Sequence, residues 1–290
     1  MLRGHDAPAP PKRVLVTGAG HGGGRAALGA LRCRGYEVIA CDTECLEAES
    51  PWFARIPTPS EPGFLSTLTR VAQEREASWL LPTLPGELPR IAGHAATLRR
   101  LGIAVHVPPP RTVAICGDAW QTTMWLAAHG IAVPRSTLAD PAEHAALGLR
   151  SPVVARRRIA PDDDPAPALL DDVLWQESLS GEAFRVLLVM DPQRPSLALY
   201  CRALAGVTAQ HGRALSAATA YVAPRPEVTT LAIKACSALG VTGPATVDVR
   251  CDATGQPHVT RVHAHVGPVF GLLPGIFDRL VALHLAGVLG

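Results

Sequence analysis

Lysine is almost missing from this chain: of the 27 basic residues only Lys12 and Lys234 are lysines, so nearly all the positive charge is arginine. That removes the flexible ammonium groups that act as point charges on phosphates and leaves planar guanidinium forks. An excess of one charge is missing too. The 25 acidic residues leave a net charge of +2, which excludes an electrostatic case for nucleic acid or an anionic lipid surface. No apolar run approaches the ~20 residues of a membrane-spanning helix, and the polar, proline-rich stretch from Met1 to Lys12 has no apolar centre of a secretory leader. The seven cysteines are odd in number and scattered, with no C-x-x-C pair, so they read as reduced core-filling thiols rather than a disulfide framework. Aromatic residues make up only 4%, and the tryptophans are not interleaved with basic residues as in a base-stacking groove. Together these absences predict a soluble cytoplasmic protein with no nucleic-acid or membrane partner.

What is present begins with 48% hydrophobic residues in 290, enough for an ordinary core and two or three subdomains. The apolar strand Arg13 to Thr17 runs into Gly18-Ala19-Gly20-His21-Gly22-Gly23, which fits G-x-G-x-x-G. A helix is expected from Ala26 to Arg34, then a strand from Glu37 to Cys41 ending at Asp42, about twenty residues beyond the loop, where dinucleotide-binding folds place a ribose-binding acid. The alternation continues with a helix from Phe64 to Arg75, a strand from Trp79 to Leu81, a helix from Leu88 to Leu101 and a strand from Ile103 to Val107. This pattern predicts a parallel α/β sheet. Gly18, Gly20, Gly23 and Asp42 are thus candidates for NAD(P), with the three glycines also candidates to line a substrate cleft, or the loop is a tight turn that lets helix and sheet pack. Glu87 follows a strand at the edge where ligands commonly bind, so it faces a substrate cleft or serves as an acid at a helix N-terminus.

The second half reads as α+β. Asp118 caps a helix from Ala119 to His129, a helix runs from Pro141 to Gly148, and a strand from Pro152 to Arg156 precedes an acidic linker from Ala160 to Ala168. Two long strand-like segments near Phe184–Met190 and Leu197–Leu204 and a helix from Glu227 to Leu239 follow. The most informative stretch is the hairpin formed by Thr246 to Arg250 and Thr260 to His265. Side chains alternate across a strand, so Val247, Val249, Val262 and Ala264 share an apolar face while Asp248, Arg261, His263 and His265 share the other. Such a face holds a metal, binds an anion or is merely solvated. A zinc-type set of Asp248, His263 and His265 is chemically available, but Arg261 beside it opposes a cation.

The stretches Cys116 to Trp120, Gly130 to Arg135, Pro152 to Arg156, Gln176 to Glu182, and Gly243 to Asp248 with Thr260 to His265 resemble, in this order, the ATP-grasp superfamily, in particular the branch around the carbamoyl phosphate synthase large subunit. The resemblance implies a flexible tail over residues 1–12, a Rossmann-like pre-ATP-grasp domain over 13–110 and a shortened ATP-grasp domain over 111–290. Within the latter it implies a helical linker (111–150), a small nucleotide-binding lobe (151–180) and a C-terminal lobe (181–290). In that family ATP activates a carboxylate as an acyl phosphate for attack by an amine. Backbone groups at Glu177 and Leu179, next to Gln176, would then meet adenine, and Glu182 would face ribose. Asp248 would be one acid of a magnesium site.

This chain departs from that pattern at the phosphates. Asp118-Ala119 replaces Asp-Lys, and Pro152 to Arg156 ends in arginine where the family has lysine. No glycine occurs from Arg157 to Trp175, where the family has a glycine-rich hairpin and this chain has Asp162, Asp163 and Asp164. Arg261 and His263 stand where the family has the Glu and Asn of the metal site, a set that suits magnesium poorly. The expectation is therefore an impaired ligase-like protein with weak or no magnesium binding, a possible nucleotide and small carboxylate ligand, and a binding, regulatory or scaffold role beside a protein partner. The alternative is a divergent active ligase in which Arg156, Arg261 and His265 carry the phosphoryl chemistry. A further alternative is an NAD(P)-binding protein.

Overall fold

The computed structural model describes residues 12–44, 52–149, 152–159, 173–206 and 220–288. The expected tail, apart from Lys12, and the acidic linker with Asp162, Asp163 and Asp164 lie outside the described residues.

The first half forms β1 (Arg13–Val16), α1 (Gly22–Arg32), β2 (Glu37–Asp42), β3 (Phe53–Arg55), α2 (Phe64–Glu74), β4 (Trp79–Leu81), α3 (Leu88–Arg100) and β5 (Ala104–Val105). All five strands pair in parallel, in the order β3-β2-β1-β4-β5. Val14, Leu15, Val16, Trp79, Leu80 and Leu81 are each 1% exposed or less, as expected for strands covered on both faces. The expected parallel α/β sheet is therefore present. Its third strand β3 escaped the periodicity, and β5 is shorter than the predicted Ile103–Val107.

Two helices, α4 (Pro110–Cys116) and α5 (Ala119–Ala128), join this sheet to the second half. Asp118 caps α5 as expected, accepting from the N–H groups of Trp120 and Gln121 at 2.9 and 3.0 Å. The predicted helix from Pro141 to Gly148 is only a 3-10 turn at Pro141–Glu143 followed by turns. None of these residues is buried, so no packed face holds a helix together there.

A small antiparallel sheet contains β6 (Ser136–Thr137), β7 (Val153–Arg157) and β8 (Val173–Glu177) in the order β6-β8-β7. A larger antiparallel sheet contains β9 (Ala183–Met190), β10 (Ala198–Ala205), β11 (Tyr221–Val222), β12 (Gly243–Cys251) and β13 (Pro257–His263), ordered β11-β10-β9-β12-β13. One face is covered by α6 (Pro226–Leu239) over Val186, Leu188, Val247, Val249 and Val262. The chain closes with α7 (Ile276–Val288). No helix among the described residues is long and apolar enough to cross a membrane.

One apolar cluster joins both halves: Val14, Val16, Trp79 and Leu81 of the parallel sheet pack with Leu187, Val189 and Leu204 of the larger antiparallel sheet through Phe270, Phe277 and Leu280. At its edge His284 of α7 stacks on Trp79 with ring centroids 4.6 Å apart, and Tyr36 and His106 close around them. Burial pushes the pKa of both His106 and His284 down to about 4.

Candidate functional site

The glycine loop and the hairpin are the two places where the sequence suggested a ligand. In the loop, Gly18 has a φ of +59°, and a Cβ there would lie 2.6 Å from the Leu84 side chain and 2.8 Å from Thr83 Oγ1. A Cβ on Gly23 would collide with the carbonyl oxygen of Val266. Gly20 donates its N–H to Asp42 Oδ2 at 2.8 Å, and Thr43 donates to the other oxygen at 2.7 Å. The N–H and the carboxylate that would hold a dinucleotide are thus bonded to each other. The glycines of this loop serve close packing of the chain on itself.

Of the two readings of Glu87, the structure matches the acid at a helix N-terminus: it stands immediately before α3 and is buried. It is 1% exposed, and its Oε1 accepts from Thr17 Oγ1 at 2.5 Å and from the N–H groups of Thr83 and Leu84 at 2.8 and 2.9 Å. Burial raises its pKa to about 7 even though these hydrogen bonds oppose the shift. It ties the ends of β1 and β4 together just before α3.

The hairpin is different. The alternation holds: Val247, Val249, Val262 and Ala264 are buried, and Asp248 is paired in register with Arg261 on β13. On its other side Asp248 is paired in register with Arg185 on β9. Arg185 grips it with two hydrogen bonds, Nε to Oδ1 at 2.6 Å and Nη2 to Oδ2 at 3.1 Å. His263 Nε2 lies 3.6 Å from Oδ2. Burial alone would raise the Asp248 pKa, but the charge of Arg185 and the contacts to His263 outweigh it and hold the carboxyl far below the usual range. Arg185 was missed from the sequence, where its only signal is a single charge in the otherwise apolar run Phe184 to Met190.

A cavity of about 90 Å³ adjoins this face. Arg261, His263 and His265 line it from the hairpin, Arg158 from beyond β7, and Leu88 and Cys116 from α3 and α4. His263 and His265 meet edge to face with ring centroids 6.0 Å apart. Arg158 is held by Asp118 at 2.8 Å, whose carboxyl stays below its ordinary pKa because these bonds outweigh its burial. Arg156 stands on β7 and is half-buried, and its pKa is lowered by burial and then by the charge of Arg261, with Asp248 opposing.

The other expected contacts are scattered. Gln176 is buried and donates from Nε2 to Ser136 Oγ at 3.2 Å. The N–H of Glu177 is taken by the carbonyl of Arg135 at 2.9 Å, and Leu179 sits half-buried in the connection after β8. Glu182 is exposed and ion-paired with Arg225 at 2.8 Å. The structure thus gathers Asp248, Arg261, His263 and His265, joined by the unforeseen Arg185, while the glycine loop packs on Val266 just past His265 and Glu87 lies buried next to Leu88 of the cavity wall.

A magnesium ion does not fit this donor set. Both oxygens of Asp248 are occupied by Arg185, and the facing positions offer a guanidinium and an imidazole in place of hard oxygen ligands. Among the described residues no group of three or more His, Cys, Asp or Glu side chains is placed to hold a metal ion.

Comparison with protein-family models and with curated proteins returns no match. Among solved structures, L-amino acid ligase from Bacillus licheniformis is similar with a TM-score of 0.65 and 15% identity, over 90% of this chain and 68% of the ligase. A putative ATP-grasp superfamily protein from Archaeoglobus fulgidus is similar with a TM-score of 0.62 and 16% identity, over 93% and 88% of the two chains. D-alanine–D-alanine ligase from Bacillus anthracis, solved in complex with ATP, gives 0.61 and 14% over 97% and 99%. The parallel sheet, the small antiparallel sheet and the larger one with its charged hairpin together make the ATP-grasp fold, and that is the fold of this chain.

Proposed function

We propose that this chain is a cytoplasmic binding protein on the ATP-grasp fold. It takes a nucleotide, alone or with a small carboxylate, at the hairpin face and does not carry out magnesium-dependent phosphoryl transfer; its role is regulatory or that of a scaffold for a protein partner. The observation that carries this reading is the grip of Arg185 and His263 on Asp248, with Arg261 directly opposite. Phosphoryl transfer depends on positioned charge neutralisation, and here the acid that would serve a metal is already spent on arginine. A nucleotide is the ligand of choice because a ligase of the same fold, 14% identical, was solved with ATP.

The test is turnover. The purified chain is mixed with ATP, magnesium, hydroxylamine and a panel of amino and carboxylic acids, and both phosphate release and hydroxamate formation are followed. The expected result is neither above a protein-free blank.

A second reading, a divergent ligase, draws on Arg261, which lines the cavity directly opposite Asp248, since arginine stabilises a transferring phosphoryl group. Hydroxamate formed by the wild type and abolished by Arg261→Gln would put this reading first.

A further inference from the structure

Four side chains at the seam between the two halves carry polar atoms that no protein group completes. Tyr36, Trp79 and His284 are each 5% exposed or less, and His106 is half-buried. Trp79 and His284 each meet the other three rings of the group, with centroids 4.6 to 6.5 Å apart. Yet the Tyr36 hydroxyl, Trp79 Nε1, His106 Nε2 and His284 Nδ1 are all buried and hydrogen-bonded neither to one another nor to any other protein atom. A buried polar atom left unpaired bears the full cost of its desolvation, and native interiors keep such atoms few. Four at one junction, where α7 rests on the parallel sheet, point to a shared partner from outside the chain.

The chemistry of these atoms limits what that partner is. Burial raises the pKa of Tyr36, so its phenol keeps its proton, and the indole nitrogen of Trp79 only donates. Burial leaves both imidazoles neutral at pH 7, and the charges that reach them from outside the group, Arg99 at His106 and Lys12 at His284, are positive. A cation would be repelled there, and an anion would be taken out of water among four uncharged rings. Rings this close leave room for nothing larger than a water molecule. We propose that Tyr36, Trp79, His106 and His284 form an internal hydration site, in which one ordered water accepts from the Trp79 N–H and the Tyr36 hydroxyl and donates to His106 Nε2 and His284 Nδ1. Every bonding position of the water is then used. The same arrangement puts the imidazole protons on His106 Nδ1 and His284 Nε2. The water ties α7, through His284, to β4 and to the residue after β5, whatever the hairpin face binds.

The experiment is NMR on the full chain in water, following the Trp79 indole proton, which is identified by its contacts to the rings of Tyr36 and His284. A held water gives a cross-peak from the water line to this proton, of sign opposite to the diagonal in the rotating frame, which separates a bound water from proton exchange. Tyr36→Phe should keep that cross-peak, because three partners remain and a buried water makes about three hydrogen bonds. Nitrogen shifts of the two imidazoles at neutral pH should show His106 protonated at Nδ1 and His284 at Nε2. The wild-type spectra need no variant and stand even if Tyr36→Phe fails to fold. An indole proton with no contact to the water line, or with a contact of exchange sign only, overturns the proposal. So does a cross-peak that vanishes in folded Tyr36→Phe, which would trace it to the phenol proton, and so do the opposite tautomers at both imidazoles.

Discussion

Two carboxylates, Glu87 buried under the glycine loop and Asp248 half-buried in the hairpin, show how differently one chain treats the same chemical group. Glu87 is surrounded by neutral donors, the Thr17 hydroxyl and two backbone N–H groups, and its pKa rises to about 7. Asp248 sits between arginines and is held as an anion. Hydrogen bonds to neutral donors do not outweigh the cost of burial at Glu87, while full charges do at Asp248. The glycine loop is consequently a piece of packing, and the hairpin is a charged surface with a cavity beside it.

The sharpest way to break this contrast is to crowd the loop. A Cβ on Gly24 would collide with the Gly18 carbonyl oxygen and lie 2.8 Å from the Ala19 Cα, so there is only backbone to push against. Gly24→Val should cost about 3 kcal/mol or more, seen as a melting temperature roughly 6–12 °C lower. Wild-type stability would show that the loop is open and able to receive a ligand.

Glu87→Gln tests the carboxylates directly. A group whose folded pKa is raised contributes stability that is fully present below its unfolded value near 4.5 and is lost as pH rises through about 7. The wild type should therefore lose on the order of 2–3 kcal/mol from this group between pH 4.5 and 8, and the variant should not. His106 and His284 act in the opposite direction: their folded pKa values near 4 withdraw stability as pH falls below 6.5, in both proteins alike. Denaturant midpoints of wild type and variant across this range isolate the Glu87 contribution, and parallel curves would contradict it.

At the hairpin, Arg185→Ala leaves Asp248 facing Arg261 and His263 without its bidentate partner. The expected loss is about 2 kcal/mol at pH 7, partly restored when Asp248→Ala is added, in a double-mutant cycle read by denaturant unfolding. The smallest effect belongs to the dinucleotide expectation. Because Asp42 and Gly20 are bonded to each other, mixing with NADH should leave nicotinamide fluorescence unchanged, and any enhancement would reopen the loop as a site.

Much of this molecule was legible in the sequence where burial has a period. Trp79–Leu81 was located to the residue, α2, α3 and α6 to within about one residue, and the apolar side of the hairpin by its alternation, which a β-bulge between Asp248 and Val249 interrupts and which ends with β13 at His263, before the buried His265. The Asp118 cap was readable because a side-chain oxygen before a helix has one obvious task. Failures came where a local signal had more than one use. The G-x-G-x-x-G spacing fits phosphate approach and tight packing equally, and only the position of Val266, more than two hundred residues away in sequence, decides between them. Arg185 could not be placed until β9 was known to lie beside β12. The stretch from Pro141 to Gly148 has helix-forming residues but no neighbour to bury them.

The stacking of His284 on Trp79 and the wedge of Phe270 and Phe277 between the two large sheets bear on how the chain comes apart. Each sheet also keeps an apolar cluster of its own on the face away from that seam, so the shared cluster is what couples the unfolding of one to the other. Heating should therefore give one calorimetric transition whose van't Hoff and measured enthalpies agree.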